Sequence, residues 1–369
     1  MRYAFLFALL FIFLFSFSQY NDNEGYGTRP DLRVFQFTLI SPPLSTDLGK
    51  TTKRIYNISL NPFLGITGGV QGFELAGFLN FNKNHMHGLQ IAGFGNINSG
   101  EVKGVQIAGF MNMGEESELY FQLAGFINAS GDIKGIQIGG FMNSALKVRG
   151  FQMAGFINNA NDFTGLQLGG FINVAKFVKG AQIAGFINVC DSIVGVPVGF
   201  INIVGNGGYS GFEISNSDGM NFFFSGKLGV KRLYNIYSLG KLKGANNRFS
   251  FGFGIGTEVS FSEKINLNIE NTLHREMWTG IKKPENRFSS FIHVDNLNIW
   301  NQLRISFAYK LNNKFAIFAG PSFNISLKKA ETIYANNLNM SPLNYFAENT
   351  NSNNNIVRYW FGYSTGIRF

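Results

Sequence analysis

Histidines, cysteines and paired carboxylates are the residues whose chemistry is weighed first, and the 369-residue chain holds only four His and one Cys. His85 and His87 stand two apart in Asn84-His-Met-His87. A metal centre needs a third and fourth ligand, and none lies nearby in sequence, so the pair reads as solvated turn histidines. His274 shares one face of an alternating segment with Glu270 and Glu276, and Asn266 and Asn268 continue that face. Such a row can carry acid–base chemistry, but no serine nucleophile is tied to it. A polar lining is the simpler reading. Cys190 has no partner for an internal disulfide and sits where equivalent positions hold Ala, as a filler would. No catalytic residue, metal ligand or cofactor is assigned, and the chain reads as a non-enzyme.

The remaining polar chemistry is amide chemistry at a fixed period. Gly88-Leu-Gln-Ile-Ala-Gly-Phe-Gly-Asn96 returns as Gly104–Asn112, Gly150–Asn158 and Gly180–Asn188. The Gln position recurs at 74 (as Glu), 90, 106, 122, 137, 152, 167, 182 and 197 (as Pro), first every 16 residues and then every 15. The repeated glycines are not a phosphate loop, because the Lys-Ser/Thr ending and the strand-to-helix context are missing. A period this short is an architectural signal.

Within one repeat, Leu166, Leu168, Gly170, Ile172 and Val174 fall on one face of an extended chain, and Gly165, Gln167, Gly169, Phe171, Asn173 and Ala175 on the other. Eleven residues of apolar-out, polar-in alternation suit a tilted membrane strand. An up-and-down meander would set Gln167 opposite Asn188 and Asn173 opposite Gln182, with loops near 176–179. The turn cues Asn161-Asp162 and Asp191-Ser192 lie slightly earlier than those loop centres. The rival is a β-solenoid with one coil per repeat, which stacks like on like as Asn ladders, Gln ladders and a Phe column.

In chain order, residues 1–18 have the basic start, apolar run and small-x-small end of a secretory signal, and 19–33 form a polar flexible segment. Residues 34–203 carry two strands and then the repeats of 72–202; residues 204–369 carry long alternating strands. Within the latter, 204–219, 279–298 and 329–356 read as long connections. Those at Lys231-Arg232, Ser262–Lys264 and Asn312-Asn313 read as tight turns. Long loops outside and short turns in the periplasm are the outer-membrane pattern. It places the C-terminus, and the final alternating strand ending in Phe369, on the periplasmic side. Pro197 and Pro321 each remove a ladder donor from an expected strand.

The expected fold is therefore all-β: an antiparallel up-and-down outer-membrane β-barrel of about 18 strands, nine of them the repeats. The alternative is a β-solenoid attached to a smaller C-terminal barrel. In the barrel reading the lumen is lined by Gln90, Gln106, Gln122, Gln137, Gln152, Gln167 and Gln182, by Asn96, Asn112, Asn128, Asn143, Asn158, Asn173 and Asn188, and by Glu270, His274 and Glu276.

Composition agrees with a membrane β-protein: 41 Phe, 45 Gly, 14% charged residues and no run long enough for a spanning helix. The net charge of +9 suits lipid phosphate and lipopolysaccharide better than nucleic acid in a secreted barrel. The expected partners are outer-membrane lipid, lipopolysaccharide and, during insertion, the barrel-assembly machinery. Residues 72–202 resemble the Gly-x-Gln-x-x-Gly-x-x-Asn surface repeat of leptospiral and Bacteroidetes envelope proteins, as do Pro42-Pro43-Leu44 and Gly195–Asn202. The resemblance implies an outer-membrane surface protein without assigned catalytic residues. The expected roles are structural, adhesive or ligand-binding, with a passive solute channel as the alternative and an outer-membrane hydrolase behind it.

Overall fold

The computed structural model describes residues 31–40, 44–47, 50–242, 248–278, 299–312, 314–329, 345–350 and 355–369. The expected signal at 1–18 and most of the segment 19–33 lie outside them. The described residues form two sheets, one of 13 strands and one of 9.

The first sheet is a parallel β-solenoid. Its strands are β1 (Asp31–Ile40), β2 (Leu44–Ser45), β3 (Arg54–Asn61), β4 (Leu64–Ala76), β5 (Leu79–Ala92), β6 (Gly95–Ala108) and β7 (Met111–Ala124). They continue as β8 (Ile127–Gly139), β9 (Met142–Ala154), β10 (Ile157–Gly169), β11 (Ile172–Ala184), β12 (Ile187–Val198) and β13 (Ile201–Asn206). From β3 onward each strand pairs in parallel with the next, so one repeat makes one coil.

The inward residues of β10 show why this phrase closes on itself. Asn158, Ala160, Phe163, Gln167 and Gly169 are buried. Two outward residues separate Ala160 from Phe163, and three separate Phe163 from Gln167, so the period-two alternation breaks twice. Each break turns the chain inward. One falls at Asn161-Asp162 and one at Gly165, whose φ is +131°. The third bend is Gly170-Phe171. A Cβ at Gly165 would stand 1.9 Å from the Gly150 carbonyl oxygen, and one at Gly170 would stand 2.0 Å from that of Gly155. Stacked coils come too close at these corners for any side chain. The last 16-residue coil, β7, fits the first 15-residue one, β8, through bulges between Gly114 and Glu118 and between Leu119 and Phe121, away from the Gly-Phe bend.

The second sheet is antiparallel: β14 (Tyr209–Ser217), β15 (Met220–Val230), β16 (Leu233–Leu242), β17 (Arg248–Ser260), β18 (Ile265–Trp278), β19 (Ile299–Lys310), β20 (Ala316–Lys329) and β22 (Asn355–Arg368). β22 pairs with both β20 and β14, which closes an eight-stranded barrel; β21 (Ala347–Thr350) adds a short ribbon beside β22.

The eighteen-stranded barrel is thus corrected. The repeats stack in parallel, and Gln167 faces Gln152 and Gln182 rather than Asn188. Alternating faces are common to a membrane strand and a solenoid coil. What separates them is the identity of neighbouring repeats, because parallel in-register stacking lays each residue on its own equivalent. A second correction concerns 204–219, expected as a long outer connection. β14 occupies most of it, and the link from the solenoid is the turn Gly207-Gly208 at the end of the barrel where the short turns lie.

Candidate functional site

The solenoid interior is built from four columns. The Asn column runs Asn61, Asn80, Asn96, Asn112, Asn128, Asn143, Asn158, Asn173, Asn188 and Asn202. Each Nδ2 donates to the next coil's Oδ1 at 2.8–3.0 Å. The second N–H of most of them donates across the coil to a backbone carbonyl, as Asn158 does to Leu168 at 2.6 Å. The Gln column runs the other way: from Gln106 to Gln182 each Nε2 donates to the preceding coil's Oε1 at 2.7–3.0 Å. Between them lie a small column (Ala145, Ala160, Ala175, Cys190) and an apolar one that includes Met86, Val148, Phe163 and Val178. Cys190 thus fills an Ala position, and burial pushes its thiol up to about 11.

The Gln column ends for chemical reasons. Pro197 occupies the next rung after Gln182 and has no amide to offer. At the other end Glu74 accepts from Gln90 and Asn82, each at 2.8 Å. A carboxylate carries no N–H, so the first rung leaves no donor without a partner. Burial pushes the Glu74 carboxyl up to about 7, against the pull of its amide donors.

The expected lumen residues therefore divide. The Gln and Asn series lines the solenoid interior and not a barrel lumen. Glu270, His274 and Glu276 do lie inside the barrel, 1%, 2% and 5% exposed. Glu270 sits in a cluster drawn from distant strands. Lys227 reaches both Glu213 and Glu270 at 2.5 Å. Arg304 meets Glu213 at 2.7 Å and Glu270 through two nitrogens. Arg368 meets Glu213 at 3.1 Å and Glu258 at 3.2 Å, and Tyr234 donates to Glu270 at 2.6 Å. Three buried cations face three carboxylates, so the buried cluster is neutral; Lys231, half-exposed at the rim, reaches Glu258 at 3.3 Å. Sequence reasoning found Glu270 but missed Glu213 and its partners. The available signal was the inward alternation of Glu213 and Ser215 against Phe212 and Ile214.

His274 lies beyond this cluster. Its Nδ1 is 3.2 Å from the Ser250 hydroxyl and its Nε2 is 2.9 Å from Thr272. The ring stacks on Trp300 at 5.0 Å and lies against Phe223. Ser250 is a serine that the sequence did not tie to His274, yet it is fully buried. The cavity beside His274, lined by Ser238, Thr272 and Gln302 among others, holds about 10 Å³, roughly one water. Met220, Phe223, Leu242, Trp300 and Trp360 pack together and fill the barrel towards the end with the long connections.

His85 and His87 belong to β5 rather than a turn, on either side of buried Met86. His87 Nε2 is 3.0 Å from a Glu101 carboxylate oxygen. Burial, and then the charge of His87, pushes the His85 imidazole below its usual range. No cluster of three or more His, Cys, Asp or Glu suited to a metal occurs among the described residues.

No family model matches the chain, and no curated protein does. Among solved structures the chain is similar to Neisserial surface protein A, at 12% identity over 43% of this chain and 91% of that one, with a TM-score of 0.25.

Proposed function

We propose that this chain is a bacterial outer-membrane protein whose eight-stranded barrel is a closed anchor for the solenoid, and that its role is structural or ligand-binding rather than transport or hydrolysis. The observation that carries the reading is the barrel's inverted polarity. Its outward residues are apolar and exposed, among them Phe224, Phe251, Ile255, Leu273, Phe307 and Phe361. Its inward residues include the neutral cluster of six charges. In water this arrangement would expose an apolar belt and bury six charges; in a bilayer both faces are satisfied.

The tight turns at 231–232, 261–264 and 311–315 and the C-terminus share one end of the barrel. The strand ends that lead into 279–298 and 330–346 share the other. By the usual orientation the solenoid then lies on the periplasmic side, with the long connections and any adhesive role outside. A cavity of about 200 Å³ opens at the short-turn mouth beside Glu258 and Arg368; beyond it the charge cluster and the Met220–Trp360 packing fill the interior, which speaks against a channel. The burial of Ser250 and the 10 Å³ cavity beside its neighbour His274 speak against a hydrolase.

Two measurements on the full chain test this. Membranes washed with alkaline carbonate are expected to retain the protein, and planar bilayers containing it are expected to show no discrete conductance steps. Release by carbonate would overturn the anchor. Reproducible single-channel steps, lost on Arg304→Ala, would overturn the closed interior.

A further inference from the structure

We propose that the Phe edge of the solenoid is a lipid-embedded keel, seated in the same leaflet that the barrel enters at its short-turn end. The proposal rests on the membrane reading of the barrel and adds a second membrane contact to it.

The edge is a stack of ten rings, Phe63, Phe78, Phe94, Phe110, Phe126, Phe141, Phe156, Phe171, Phe186 and Phe200, with centroids 4.9–5.7 Å apart. From Phe110 to Phe171 the described rings remain 37–38% exposed. At about 200 Å² for a whole Phe, the rings alone leave roughly 700 Å² of apolar surface open. That exceeds the largest patch of a typical soluble monomer, about 300–600 Å². Outward aliphatic residues flank the ridge on both sides, such as Leu168 and Ile172 around Phe171. The opposite edge of the coils carries most of their charge. Asp132, Lys147 and Asp162 follow one another in register there before Phe177, and Lys134, Arg149, Thr164 and Lys179 form the next column before Val194, so the edge is mainly charged and polar with two exposed apolar residues near its barrel end.

The direction in which the ridge faces follows from how the solenoid ends. Both of its columns run onto the outer wall of the barrel. Asn202 donates to Asn235 at 3.0 Å, so a barrel residue forms the next rung of the Asn ladder. Phe200 stacks on Phe253 at 5.4 Å and meets Tyr237 edge-on at 5.7 Å. Asn235 lies two residues into β16 from its short-turn end, and Tyr237, paired with Phe253, lies two residues further towards the middle of the barrel. Passing from the Asn column to the Phe column therefore moves from the membrane boundary into the apolar belt. The coils extend away from the wall, so the Phe ridge faces the bilayer along its whole length, roughly 45 Å at one strand spacing per coil. The charged edge faces the aqueous side. Continuity with the barrel's own lipid-facing wall makes hydrocarbon the occupant. Seating such a ridge about 5–10 Å deep is the geometry of interfacial membrane elements.

The test uses the full-length protein carrying Cys190→Ala, reconstituted in phosphatidylethanolamine/phosphatidylglycerol vesicles. An environment-sensitive fluorophore is placed in turn at Phe171→Cys, at Thr164→Cys on the charged edge and at Phe307→Cys on the barrel wall. Spin-labelled lipids are expected to quench the label at 171 and at 307 several-fold more than at 164. Equal, weak quenching at 171 and 164 beside strong quenching at 307 would overturn the keel and leave the barrel reading intact. Weak quenching at all three sites would sink the barrel reading itself. Protection of 171 from water without lipid quenching, relieved on dilution of protein in the vesicles, would assign the ridge to a second copy and overturn the lipid proposal.

Discussion

The solenoid and the barrel bury polar groups under opposite rules. In the solenoid, parallel in-register stacking lays every residue on a copy of itself. Only a side chain that both donates and accepts can repeat indefinitely under that constraint, and the amides of Asn and Gln do so. Stacked charges would repel, so the described buried columns hold no Lys, Arg or Asp, and a single Glu74 stands at the terminal rung. In the barrel, antiparallel pairing brings unlike residues together from distant parts of the chain. Glu213 meets Arg368, 155 residues away. Complementary charges can therefore be buried, provided that all six are present. The solenoid's interior is periodic and tolerant of number; the barrel's is a unique assembly.

This contrast can be broken on the barrel side first. Glu270→Leu leaves Lys227 and Arg304 short of a buried partner, and we expect a loss of about 3–5 kcal/mol. It should appear as a lowered midpoint in thermal unfolding of the barrel. An unchanged midpoint would mean that the charges are solvated and the interior is open. In the solenoid the corresponding weak point is steric. Gly165→Ala places a Cβ against the Gly150 carbonyl at a positive φ, and the expected cost is about 3 kcal/mol. Hydrogen exchange should show the repeats losing protection while the barrel keeps its own. Equal loss in both units would show that they fold as one.

The finest of these probes is pH. Glu74 lies in the solenoid and its carboxyl is raised from 4.5 to about 7, so the folded coil holds the proton more tightly than the unfolded chain. Its contribution is complete below about pH 4.5 and is lost as pH rises through about 7, a change of at most about 3 kcal/mol. Glu74→Gln should flatten that window in thermal melts of the repeats. A pH dependence that persists in the variant would assign it to another group.

Much of this was legible in the sequence, but not the direction of the neighbouring strand. The period, the bends at Asn161-Asp162 and the like-on-like ladders follow from the repeat once it is read as a coil. The same alternation of Leu166, Gln167 and Leu168 also satisfies a membrane strand, because both structures need only two unlike faces. The long/short pattern of connections after 220 identified a barrel whose C-terminus lies at the short-turn end. It miscounted because β14 is brief and its inward Glu213 reads as a loop residue until Lys227, Arg304 and Arg368 surround it. Ser250 and His274 lie on neighbouring strands, 24 residues apart, and only the pairing of those strands brings them together.

The ladders have one more consequence, for length. A stack of equivalent rungs has no internal origin: sliding or excising one 15-residue unit restores nearly every contact it removes. The zero of the scale is set by the ends, where Glu74 stops the donors on one side and Asn235 and Phe253 receive the last rung on the other. An in-frame duplication or deletion of a coil would therefore lengthen or shorten the solenoid by about 4.8 Å and leave the barrel untouched. The gene can set the reach of this protein as a ruler is cut, by whole divisions.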